Sequence, residues 1–168
     1  MLDETAQGVF TIAVTPFLPD GALDWDSIDR MVDFYIEKGA TGLTILGMMG
    51  EAGKLTAEES VAVVKRVIAR SSVPVVVGVS APGFAAMKTL GDASMDLGAA
   101  GVMVAPPGSL RTDSQIVTYY HNAAEALGDA PFVLRIDITF THGLQHTNPC
   151  GHQQRERSVG WISDAPFQ

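Results

Sequence analysis

Short, unbroken apolar runs alternate along this chain with stretches in which apolar residues return every three or four positions. The first run, "GVFTIAVTPF" at residues 8–17, is β-branched and stopped by Pro16, which predicts a buried strand. Residues 24–38 follow with Ile28, Met31, Val32, Tyr35 and Ile36 at helical spacing, and Gly39 is placed to close that helix. "TGLTILG" at 41–47 predicts a second strand. Thr56 with Glu59 three residues on has the form of a capping box, and the helix it opens carries Val61, Val64, Val67 and Ile68. "VPVVVGVS" at 73–80 predicts a third strand, 85–97 a helix ended by Gly98, and "AGVMVAPP" at 100–107 a fourth strand. Residues 112–127 predict a helix ended by Gly128, and "APFVL" at 130–134 begins a fifth strand.

Apolar strands each followed by an amphipathic helix are the pattern of a parallel sheet covered by crossover helices. "GATGLTIL" at 39–46 and "GAAGVMVA" at 98–105 repeat one grammar of helix stop, small residues and strand, two units apart. That repetition suits a barrel of strand–helix units. An open doubly wound sheet is the competing architecture, although no G-x-G-x-x-G follows the first strand. The fold class is therefore α/β, with about five β-α units over residues 1–134.

Composition narrows the function. The 168 residues are 46% hydrophobic, enough for one folded core. A formal charge of −8 argues against nucleic acid and anionic membrane as partners. One cysteine cannot form an internal disulfide and fits a reducing, cytoplasmic setting. There is no leader pattern at the start, and no apolar run has bilayer length.

Four stretches, "TIAVTPF", "LGMMGEAGKLTAEE", "VPVVVGVS" and "GAAGVMVAPP", resemble the dihydrodipicolinate synthase / N-acetylneuraminate lyase family in order and spacing. The resemblance spans residues 8–134. It implies the N-terminal half of a (β/α)8 barrel, belonging to lyases and aldolases that act on a small 2-keto acid or aldehyde. In that chemistry a lysine at the end of the sixth strand forms a Schiff base, a tyrosine at the end of the fifth moves protons, and no cofactor or metal takes part. A protonated imine withdraws electrons from the adjacent carbon, so a carbanion or enamine can form there.

Carried over residue by residue, the resemblance marks Thr15, Gly47, Met48, Met49, Gly50 and Glu51 as substrate-binding candidates and offers no catalytic residue. Met48 and Met49 stand where the family has small hydroxyl residues that hold the substrate carboxylate. Thioethers donate no hydrogen bond, so the functional reading is an altered, apolar pocket. The plainer one is two methionines packing at a barrel mouth. Glu51 reads more readily as a loop anchor than as an acid catalyst. The loop "APPGS" at 105–109 lacks the tyrosine that often follows its first proline in the family.

After Leu134 the pattern breaks. Residues 1–134 contain nineteen alanines and the last 34 contain one, Ala165. Acids outnumber bases two to one in the body, but the tail has three of each. The last tyrosine is Tyr120 and the last lysine is Lys88, which sits on an expected helix. Residues 135–168 are accordingly an atypical, irregular tail, with genuine divergence, a reading-frame shift near Leu134, and disorder as the explanations in view. Codons for residues 148–153, read one base later, permit Thr-Pro-Ala-Val-Ile, the kind of helix start the family shows after its fifth strand.

His142, His146, Cys150 and His152 fall in this tail. Three of them are four apart, but Gly143, Thr147, Asn148 and Pro149 oppose a helix that would align them, and no metal site is expected. The chain is expected to be an inactive, truncated form of a lyase. The alternative is a non-catalytic interaction protein built from a half-barrel. Either way, open strand edges favour self-association.

Overall fold

The computed structural model describes residue 2, residues 5–134 and the backbone of residues 160–161. Local sequence chemistry sets the helix boundaries. α1 (Trp25–Glu37) begins where the Asp24 carboxylate accepts a 2.9 Å hydrogen bond from the Ser27 N–H. Bonds from Ser27, its hydroxyl first, hold the Asp24 carboxyl below the usual carboxylate range. α2 (Ala57–Arg70) has the expected capping box, with Thr56 and Glu59 each bonding the other's backbone N–H. α4 (Asp113–Leu127) has a second box, formed by Thr112 and Gln115.

α3 (Phe84–Asp96) and α1 end in the same way. Gly39 and Gly98 adopt φ of 90° and 97°. The N–H of Ala40 then reaches back to the carbonyl of Tyr35, and that of Ala99 to Ser94, both at 3.0 Å. These are Schellman caps, which need a residue that tolerates the left-handed region. They are the structural meaning of the sequence repeat at 39–46 and 98–105.

Between the helices lie β1 (Phe10–Ile12), β2 (Gly42–Ile45), β3 (Val75–Gly78), β4 (Gly101–Val104) and β5 (Phe132–Leu134). They are parallel and paired in chain order. Leu43, Ile45, Val75, Val77, Val102 and Val104 join residues of all four helices, among them Val32, Val64, Met87 and Ala123, in one buried cluster. All four helices therefore cover the same face. A doubly wound sheet reverses its strand order and takes helices on both faces, whereas successive right-handed units in unbroken order place every helix outside, as in a barrel. This decides between the two architectures that the strand–helix alternation allowed, in favour of the barrel that the resemblance implied.

The opposite face carries a smaller cluster of Leu2, Val76, Ala100 and Met103, with Ala6, Phe10 and Val133 packed against it. Leu2 is fastened there by its N–H, which donates to the Ala100 carbonyl at 2.7 Å. A side chain on Gly42 would run into the Phe10 ring, so the glycine makes room for an aromatic on this inner face.

On the outer surface, α1 and α2 are joined by two arginine–carboxylate pairs. Arg66 donates to both oxygens of Asp29 at 2.8 and 2.7 Å, and Arg70 pairs with Asp33. The i, i+4 spacing on both helices puts the pairs in register. The arginines hold both carboxyls below their ordinary range. Such exposed pairs fix the helix orientation more than they add stability.

A sixth strand, β6 (Gly160–Trp161), pairs antiparallel with β5. Hydrophobic pattern did not predict this pairing within the tail. The rest of residues 135–168 lies outside the described residues, as do His142, His146, Cys150 and His152.

Candidate active site

The loops that leave the C-terminal ends of β2, β3 and β4 surround a cleft of about 860 Å³. In a barrel of strand–helix units this is the end at which loops build the reaction site. Gly47, Met48, Glu51, Lys54, Ser80 and Tyr119 are among its lining residues.

The β2 loop is a tightly wound turn. Leu46 and Glu51 both have positive φ, 54° and 51°, a conformation that costs a residue bearing a Cβ and needs support from its surroundings. Thr15, which follows β1, provides some of that support. It is buried, and its hydroxyl donates a 2.6 Å hydrogen bond to the Gly50 carbonyl. Gly50 packs tightly, since a Cβ there would come within 3.0 Å of the Leu46 nitrogen. The Glu51 N–H donates to the Met48 carbonyl, and a 3-10 turn (Ala52–Lys54) follows with the Lys54 N–H bonded to the Glu51 carbonyl. The side chains of Glu51 and Lys54 form an ion pair.

The six sequence candidates thus separate into two groups. Gly47, Met48 and Glu51 line the cleft, while Thr15 and Gly50 brace the turn from outside its lining. Met49 is 58% exposed and is not among the lining residues either. Thr15→Val is expected to cost about 1–3 kcal/mol, because the isosteric side chain leaves the buried Gly50 carbonyl without its donor. Urea unfolding checks this; an unchanged midpoint would show that the hydrogen bond contributes nothing.

Ser80 and Tyr119 belong to the cleft but were not among the sequence candidates. Between them they hold both backbone groups of Ala105. The Ala105 N–H donates to the Ser80 hydroxyl at 2.8 Å, and the Tyr119 hydroxyl donates to the Ala105 carbonyl at 3.2 Å. Burial pushes the Tyr119 phenol up, so it stays protonated at neutral pH and remains a donor. The loop at 105–109 is thereby anchored to β3 and α4. Ser80 was recoverable from its place just past β3, at the strand end where barrels put functional groups. Tyr119 shares a helical stripe with Ala123 and Leu127 and reads as core, so sequence spacing carried no sign of its bond to Ala105.

Residues 5–137 match the family described as "Dihydrodipicolinate synthetase family". The chain belongs to this family. Among relatives, it is 43% identical over 105 residues to a 4-hydroxy-tetrahydrodipicolinate synthase of Sorangium cellulosum, covering 60% of this chain and 34% of that protein. The crystal structure of dihydrodipicolinate synthase from Rhodopseudomonas palustris superposes with a TM-score of 0.76 at 57% identity, over 80% of this chain and 45% of that one. The chloride-inhibited dihydrodipicolinate synthase of Acinetobacter baumannii, complexed with pyruvate, matches at 32% identity and a TM-score of 0.73, covering 80% and 47%. The dihydrodipicolinate synthetase family member described here thus spans less than half the length of these relatives. Its five parallel strands and four helices are those of the N-terminal part of the family's barrel. Among the described residues, no group of three or more His, Cys, Asp or Glu is placed to hold a metal, and no helix is long and apolar enough to cross a membrane.

Proposed function

We propose that residues 1–134 are the N-terminal partial barrel of a lyase acting on 2-keto acids through a Schiff base, and that this polypeptide does not itself form that Schiff base. The observation that carries the first part is the turn at 47–51. It lines a cleft at the C-terminal strand ends, where the chemistry of such barrels takes place. With thioethers at 48 and 49, the substrate carboxylate is left to backbone N–H groups of this turn, for which Gly47, on the cleft lining, gives close approach.

The second part rests on where the amines are. A Schiff-base lysine must be partly neutral, hence desolvated or beside another cation. Lys38 and Lys54 are more than half exposed and each is paired with a glutamate. Lys65 occupies an exposed position of α2, and Lys88, likewise exposed, pairs with Asp92 along α3. No lysine follows it in the sequence. Treatment with pyruvate and borohydride is therefore expected to leave the intact mass unchanged. A stoichiometric adduct would defeat the proposal, and one mapped to Lys54 would identify a relocated amine at the mouth of the cleft.

Residues 135–168 are proposed to be an atypical tail, joined to the sheet through β6, and sequencing of the coding DNA around Leu134 decides between a frame shift and divergence. The lone Cys150 supports a reducing, cytoplasmic setting. Val9, Ile12 and Val14 on and beside β1 are 63%, 41% and 41% exposed, which supports self-association through this edge. Light scattering is expected to give a mass above the 17.8 kDa of one chain; a monodisperse monomer would remove this point.

A further inference from the structure

We propose that β1 is the docking edge for a second copy of this chain, and that the two β1 strands pair antiparallel about a twofold axis at Ala13, with Ile12 opposite Val14 of the partner subunit. This rests on the reading that the chain self-associates, and it names the strand and the register through which it does so.

The hydrogen bonds of β1 show which backbone groups are left over. The Val9 carbonyl accepts from the N–H groups of Thr41 and Gly42, and the Ala13 N–H donates to the Thr44 carbonyl at 2.8 Å. Successive residues of a strand turn their backbone groups to opposite edges, so Val9, Thr11 and Ala13 face β2. The N–H and C=O groups of Ile12 and Val14 face the other way, where no described strand lies. Such an open row of donors and acceptors is a template for another strand. With Ile12 of each copy opposite the partner subunit's Val14, each opposed pair exchanges both of its N–H···O bonds.

The side chains suit the same register. Phe10 packs with the inner cluster and Ala13 with the outer one, so by alternation Ile12 and Val14 stand on the inner face. Each is 41% exposed. In the pair the two β-branched side chains lie across from each other and cover one another. The same axis brings the α1 helices of both copies side by side on the outer face, since α1 ends the helix layer and touches α2 on its other flank. Phe34 of α1, 53% exposed, then gains apolar surface to pack against.

Charge and topology favour a second copy over a different chain. No charged side chain lies between Thr5 and Pro19, so two copies of formal charge −8 meet at this edge without opposing like charges. The Ile12–Val14 pattern is its own complement under a twofold, the commonest symmetry of homodimers. Closure of two half-barrels into one barrel would need β5 of each copy to pair in parallel with β1 of the other, and β6 already lies antiparallel on β5. β6 is itself only two residues long, too short to serve as a template.

The test uses the intact chain. Sedimentation equilibrium is expected to give twice the 17.8 kDa of one chain, dissociating on dilution. Hydrogen exchange read by NMR should show the Ile12 and Val14 amides about tenfold slower in the dimer than in the monomer, with the Ala13 amide, already bonded to β2, unchanged. Val14→Pro removes an outward donor that serves nothing inside the fold, as edge strands tolerate, and Ile12→Lys sets a charge in the apolar ladder. Each should weaken association at least about tenfold while the circular dichroism of the chain is kept. If either variant fails to fold, the exchange measurement on the unmodified chain decides. A species larger than a dimer, undiminished association of the folded variants, or a dimer whose Ile12 and Val14 amides exchange as in the monomer would overturn the proposal. The last two outcomes leave self-association standing through another surface, whereas a monomer at every concentration removes self-association itself.

Discussion

Gly78→Ala is expected to destabilise the fold by about 3 kcal/mol and to disorder the turn that lines the cleft. Gly78 ends β3, and the backbone leaving β2 passes directly over it. A Cβ built there would lie 2.3 Å from the Leu46 carbonyl oxygen and 2.8 Å from its carbon. Neither atom is the flexible end of a side chain, so the peptide itself must move. It has little freedom to do so. Leu46 is already at positive φ, Gly50 packs closely against its backbone, and the Thr15 hydroxyl holds the Gly50 carbonyl. Gly53→Ala is the control, because a Cβ there meets nothing within 4 Å, and its effect should stay within about 0.5 kcal/mol. Urea unfolding of both variants, with amide spectra of residues 47–51, gives the answer. Equal stabilities for the two would show that the β2 loop gives way easily, contrary to the packing described.

Leu43→Ala is expected to cost about 2–5 kcal/mol. Leu43 is fully buried on β2, between β1 and β3, and belongs to the cluster that joins the sheet to all four helices. Removing its side chain takes away buried methyl groups and leaves a cavity that β2, paired on both edges, cannot collapse to fill. Met49→Ala removes a comparable side chain from an exposed position and should change stability by no more than about 0.5 kcal/mol. A small loss in Leu43→Ala, similar to that in Met49→Ala, would mean that the core is loosely packed around β2.

The readable parts of this chain are those governed by near neighbours. Asp24 and Thr56 start helices because an oxygen-bearing side chain can reach an amide three residues on. Gly39 and Gly98 stop them because the cap needs a left-handed residue. Continuous apolar runs became strands because both faces of the sheet are covered. The turn at 47–51 was visible through its resemblance to a known family, and the comparisons place the chain in that family.

Contacts between distant residues were not readable. The alternation of strands and helices by itself allowed both an open sheet and a barrel; the family resemblance pointed to the barrel, and the unbroken strand order with every helix on one face bears that out. The positive φ of Leu46 and Glu51 had no local signal, because nothing in a leucine or a glutamate calls for it. Close packing from Thr15, Gly50 and Gly78 holds that loop in place. Ser80 and Tyr119 meet at Ala105 from positions 39 residues apart for the same kind of reason. By itself the sequence determined the approximate bounds of α1, α3 and α4, the start of α2 and which runs become strands, since caps and periodicity act within a few residues. The tertiary structure alone decided which face the helices cover, how the β2 loop is held, and which side chains share the cleft, since those depend on packing between segments far apart in the chain.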